Sequence, residues 1–139
     1  LHDIGKKEIP LSVLEKTQGF SNADMKIMKA HVTHGYDTLM NEGYTFSAWL
    51  ALTHHYYQKN FYPKHLPQKP EWLSHGMHLS QDLYARIVSL SDQDDALKRR
   101  NDKFGTAEMK TERAQEIMLE NNPDQRVLIN YLFKEGILT

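Results

Sequence analysis

Apolar residues recur at helical spacing along most of this chain, and capping residues mark where the helices should begin. Ser12 with Glu15, preceded by Leu11, predicts a short helix that Gly19 ends. Ser21 with Asp24 is a second start signal. It leads into Met25, Met28, Val32, Tyr36 and Leu39 until Asn41-Glu42-Gly43 stops the pattern. A third helix is expected from Thr45 to Tyr56, burying parts of Phe46, Trp49, Leu50 and Leu52. The stretch from Tyr57 to Ser80 carries Pro63, Pro67 and Pro70 and reads as irregular, of a length often found in lids and binding surfaces. A fourth helix follows from Gln81 to Arg100, with Leu83, Ile87, Val88 and Leu90 as its apolar side. Two more, Thr111–Glu120 and Pro123–Glu135, close the chain. Asn122 is expected to cap the last, Pro123 to open it and Gly136 to end it, with Val127, Leu128, Tyr131 and Leu132 as a stripe for packing or dimerisation.

Composition narrows the class. A chain of 139 residues, 40% hydrophobic and 25% charged, suits one compact domain and not a disordered segment. No apolar run approaches the ~18 residues of a membrane span. A net charge of −1 gives no electrostatic reason to expect a nucleic-acid polymer as partner. The absence of cysteine fits a cytoplasmic location. There is no initiator Met and no secretory cleavage pattern, so the expectation is the C-terminal part of a longer polypeptide, with a sensory or regulatory region upstream.

The chemistry begins at the first residues. In Leu1-His2-Asp3-Ile4-Gly5-Lys6, the adjacent His and Asp could reach one centre if Gly5 turns the backbone; a plain helix end with a solvated lysine is the competing reading. His31, the doublet His54-His55 and Asp92 follow, each inside or at the end of an apolar helical stretch. Neutral imidazole and carboxylate hold borderline and hard divalent metals where no thiolate is available. An Asp can bridge two metals, and two metals roughly 3.5–4 Å apart can clamp a phosphate and activate a water. Lys6 would then offer a compact charge to phosphate. His54 and His55, about 100° apart on a helix, can share a centre only near the helix end. His34 reads as a surface or supporting residue, and His75 and His78 as ordinary loop histidines. Asp95 could orient a ligand. Lys98, Arg99, Arg100 and Lys103 suit a helix C-terminus.

These motifs resemble the HD superfamily of metal-dependent phosphohydrolases, and within it the HD-GYP cyclic di-GMP phosphodiesterases. The matching text is Leu1 to Lys6, Ile9-Pro10, Ile27 to His31, Gly35, Ala51 to His55, and Ala85 to Asp92 through Asp95-Ala96-Leu97. The resemblance implies an all-α, compact helical bundle with a long irregular insertion after the third helix. It implies His2, Asp3, His31, His54, His55 and Asp92 as metal ligands, Asp3 and Lys6 as catalytic residues, and Lys6 on the phosphate. Two ions, iron or manganese ahead of zinc or nickel, would serve hydrolysis of a cyclic dinucleotide. An upstream sensory domain or a homodimer would be the protein partner.

The family usually continues its doublet as His-His-Glu-Arg-Trp-Asp-Gly-Ser-Gly-Tyr-Pro. Here the text runs His54-His55-Tyr56-Tyr57-Gln58-Lys59-Asn60-Phe61-Tyr62-Pro63, one residue shorter, with Phe61 at the signature glycine. Phenylalanine cannot match the glycine's close backbone approach cheaply. A further family histidine lies upstream of the His-Asp pair, ahead of Leu1. Tyr62 is a candidate for stacking on a nucleobase, with a packing role as the alternative. The altered loop also supports a second function: a regulatory module that binds metal or nucleotide without turnover and signals through a protein partner.

Overall fold

The start signal at Ser21 proves to be a capping box. The Asp24 amide donates to Ser21 Oγ at 3.1 Å, and the Ser21 amide donates to Asp24 Oδ2 at 2.7 Å. Such reciprocal capping contributes about 1 kcal/mol. The structure, a computed structural model, describes residues 1–69, 74–98 and 109–138. The described residues are helical and contain no strand. A 3₁₀ turn at Ile4–Glu8 precedes α1 (Leu11–Leu14), α2 (Asn22–Lys29), α3 (His31–Asn41) and α4 (Thr45–Thr53). After the loop come α5 (His75–Lys98), α6 (Thr111–Asn121), a 3₁₀ turn at Pro123–Gln125, and α7 (Arg126–Lys134).

Several boundaries differ from the sequence reading. Pro10, not Ser12, stands before the first turn of α1, and no side chain caps it. The single helix expected from Ser21 to Asn41 is two, α2 and α3, meeting at Ala30. α4 ends at Thr53, so the doublet lies just beyond its last residue. α5 starts at His75, which places His75 to Ser80 in a helix instead of the loop. Pro70 and Trp72, Arg99, Arg100 and Lys103 lie outside the described residues.

The helices pack in chain order. α3 lies along α4 and against the first 3₁₀ turn; α4 packs on α5, α5 on α6, and α6 on α7. One apolar cluster, Val32, Trp49 and Leu52 with Tyr36, Tyr62 and Leu66, sits between α3, α4 and the loop. A neighbouring one joins Leu39, Ala48 and Ala51 to Ile4. The largest gathers Leu90 and Leu97 of α5 with Ala114 and Met118 of α6, Ile129 of α7 and Leu138. α5 therefore spans both halves and carries Asp92 to the level of the histidines.

Two apolar stripes are borne out in part: Leu90 is buried on α5, and Leu128 and Leu132 pack against the core on α7. Leu83 and Ile87 are exposed, whereas Ala85, Arg86, Ser89, Leu90, Asp94 and Leu97 are buried. Arg86 Nη2 donates to both carboxylate oxygens of Asp124, each at 2.8 Å, and its Nη1 donates to the Tyr57 carbonyl. On α7, Val127 and Tyr131 are 85% and 56% exposed while Ile129 is fully buried. Asn122 is also fully buried; its side-chain amide donates to the Met118 carbonyl in the last turn of α6 and to Gln93, and it makes no capping hydrogen bond to the 3₁₀ turn it precedes.

Candidate metal centre

Close backbone packing brings the first residues to the histidines. Gly5 is buried against α3, and a Cβ there would lie 2.0 Å from the His31 carbonyl oxygen and 2.4 Å from the Gly35 nitrogen. Gly5 lies within the 3₁₀ turn without a positive φ, so it is this close approach that excludes a side chain there. Gly35 completes the contact, one helical turn beyond His31. Sequence inspection passed over this pairing, although a His-x-x-x-Gly spacing on one helix face is the signal that could have shown it.

The structure brings His2, Asp3, His31, His54, His55 and Asp92 together. His31, His54 and His55 offer nitrogens within 4.8 Å of one another, as do the donor atoms of His2, Asp3 and His54. His54 belongs to both groups, and Asp3 reaches from the second toward His31 of the first. Its Oδ1 is 3.4 Å from His31 Nε2 and 4.0 Å from His54 Nε2. Its Oδ2 is 3.5 Å from His2 Nε2 and 2.5 Å from Lys6 Nζ. Asp92 closes the ring, with Oδ1 3.6 Å from His2 Nε2 and Oδ2 3.8 Å from His55 Nε2.

Hydrogen bonds set the tautomers. His31 Nδ1 donates to the Met28 carbonyl at 2.7 Å, and His54 Nδ1 donates to the Ala51 carbonyl at 2.8 Å. Each Nε2 then presents a lone pair to the centre, the form a metal needs. Burial lowers the His31 pKa. It takes His54 down to about 3, aided by the neighbouring His55, His31 and His2. It takes His55 to about 4 against the opposing charge of Asp92. His2 behaves oppositely: hydrogen bonds to Asp3 and Asp92 raise it to about 9. Burial would raise the Asp3 pKa, but His2 and Lys6 outweigh it and hold the carboxyl well below its ordinary range. Asp92 is likewise lowered, with burial opposed by His2 and His55.

These donors suit a divalent ion. Asp3 Oδ1 is buried without a hydrogen-bond partner while two imidazole lone pairs face it. An uncompensated buried oxygen beside neutral imidazoles is costly unless a cation joins them. A cleft of about 320 Å³ reaches the cluster, lined by His2, Asp3, Val88, Asp92 and Asp95 among others. His34 and His78 belong to neither metal-capable group found among the described residues. Lys98 pairs with Asp94 of its own helix. Tyr62 stacks on His55 with centroids 4.6 Å apart and 24° between the planes, and the Lys29 ammonium lies 5.0 Å from its centroid.

No protein-family model matches the chain. It is similar to the cyclic di-GMP phosphodiesterase response regulator RpfG of Xanthomonas campestris pv. campestris (strain 8004), at 37% identity over 101 residues, which is 70% of this chain and 24% of that protein. The chain thus spans about a quarter of the length of the curated relative it matches.

Proposed function

We propose that this chain is an HD-GYP-type domain that hydrolyses a phosphodiester of a cyclic dinucleotide, cyclic di-GMP first, with divalent metal. The observation that carries the reading is the placement of Asp3. Its two oxygens address different partners, His31 and His54 on one side, His2 on the other, with Asp92 closing the ring. Similarity to a cyclic di-GMP phosphodiesterase supports the substrate class.

In this reading His2, Asp3, His31, His54, His55 and Asp92 hold two ions, iron or manganese ahead of zinc or nickel. Bound there, such ions lower the pKa of a water and offset phosphate charge. The chain's own groups do the rest. The Met28 and Ala51 carbonyls keep His31 and His54 in the ligand tautomer. Lys6, now paired with Asp3, turns its donors to a phosphate oxygen and stabilises the charge that grows as water attacks phosphorus and the ester oxygen leaves. Tyr62 flanks the nucleotide beside His55.

The test is metal analysis and cyclic di-GMP hydrolysis by the intact protein, prepared without chelator or air. About two ions per chain and release of linear dinucleotide, both lost in Asp3→Ala, are expected. Absence of bound metal after reloading with iron and manganese would sink the mechanism. Nucleotide binding without turnover across several metals would instead establish the regulatory module.

A further inference from the structure

We infer that Gln58 is a positioning residue for His55, its side-chain carbonyl accepting from Nδ1 so that Nε2 faces Asp92. The inference rests on the metal-centre reading of the cluster. The three clustered histidines are not held alike. His31 and His54 each donate through Nδ1 to a carbonyl three residues earlier. His55 lies past the end of α4, and its Nδ1 is buried with no hydrogen-bond partner. Tyr62 fixes the plane of the His55 ring by stacking on it, but stacking does not choose which nitrogen carries the proton.

Gln58 has the chemistry and the place to make that choice. With His55, Asp92 and Gln93 it lines a small cavity of about 130 Å³ beside the cluster. Its Nε2 donates to Ser89 Oγ at 3.3 Å, and Ser89 is fully buried on α5. That contact spends the amide's donor side on α5 and leaves the carbonyl as acceptor, the group an Nδ1–H requires. Supporting hydrogen bonds of this kind fix ring orientation in metal sites, and their loss typically weakens metal binding about 10–100-fold. The amide would thereby connect α5, through Ser89, to a ligand on the loop.

The experiment compares Gln58→Met, which keeps length but removes the acceptor, with Gln58→Glu, which retains it. Long-range ¹⁵N correlations of the imidazoles in metal-free protein give the tautomers, with His31 and His54 as internal controls. Manganese and zinc affinities come from competition titration. The wild-type protein should show His55 with the proton on Nδ1. Gln58→Met should lose that preference at His55 alone and bind metal roughly 10-fold or more weakly, with Gln58→Glu restoring both. A His55 tautomer unchanged in Gln58→Met overturns the inference, as does equal weakening in both variants, which would mark a packing role. A wild-type protein that binds neither metal overturns the metal-centre reading instead, while the tautomer comparison still decides Gln58.

Discussion

Asp3 concentrates the chemistry because its two oxygens work in different surroundings. Oδ1 is buried against neutral imidazoles, whereas Oδ2 meets the cations His2 and Lys6. Replacing it by asparagine keeps the shape but removes the charge and turns one donor toward a lone pair. We expect Asp3→Asn to lose at least half the bound metal, measured by elemental analysis of protein reloaded anaerobically. Lys6 offers a contrasting case. Among the described residues its ammonium pairs with Oδ2, the oxygen turned away from His31 and His54, so Lys6→Met should leave metal content unchanged and lower cyclic di-GMP hydrolysis by about 10²-fold, the usual loss of a charge-stabilising donor. Equal loss of metal in Lys6→Met would show that the lysine supports the centre and not the phosphate. These residues could be named from the sequence because ligating chemistry admits few side chains and the family resemblance assigns their roles. The partners that orient them could not. The Met28 and Ala51 carbonyls belong to the backbone, and Gln58 reaches Ser89 across 31 positions.

At the scale of elements, the contact between the first 3₁₀ turn and α3 decides whether the two halves of the cluster meet. Gly5→Ala would place a methyl 2.0 Å from the His31 carbonyl, a backbone atom that cannot swing aside. The turn must move, and it carries His2 and Asp3 with it. We expect destabilisation of about 3 kcal/mol, at the upper end for overpacking, together with weaker metal binding. Gly35→Ala meets its nearest atom at 3.3 Å, and alanine gains about 1 kcal/mol of helix propensity over glycine. Its net effect should be close to zero. Urea unfolding of both metal-free variants checks the contrast, and similar losses in the two would refute it.

The same scale shows where sequence reading held and where it failed. The Ser21–Asp24 start signal is local, and a helix begins there as expected. The α7 stripe was one position off: Leu128 and Leu132 pack against the core, but with Ile129 and Phe133 and not with Val127 and Tyr131. Ile129, and not Val127, faces α6. On α5 the buried face carries Gln81, Arg86, Ser89 and Asp94, and Arg86 draws its partners from Tyr57 and Asp124. Burial of polar groups depends on such distant partners, and hydrophobic periodicity does not report them.

For the whole molecule, the cluster sets how stability varies with pH, because it mixes histidines shifted in opposite directions. His54 and His55 fall to about 3 and 4 in the folded protein. Unfolded histidine protonates near 6.5, so below that pH the unfolded chain binds protons the folded one refuses, and stability falls with acidification. Each of the two can remove at most about 1.4 kcal/mol per pH unit until its folded value is reached. His2 has the opposite sign. Its folded value of about 9 exceeds 6.5, so the stability from its pairing with Asp3 and Asp92 is complete below 6.5 and is lost as pH rises toward 9. That limb should be shallow, since His2 is 35% exposed and its pairing is screened by solvent. Metal-free protein should therefore be most stable near pH 6.5, with the steeper loss on the acid side. On the proposed metal-centre reading a bound cation would reverse the alkaline limb, because His2 would have to release its proton to ligate it. Manganese should add more stability at pH 8.5 than at pH 6.5, the difference growing as His2 deprotonates. Urea midpoints from pH 5 to 9, with and without manganese, measure both limbs. A stripped protein whose midpoint does not change between pH 5 and 6.5 would contradict neutral, buried imidazoles at His54 and His55.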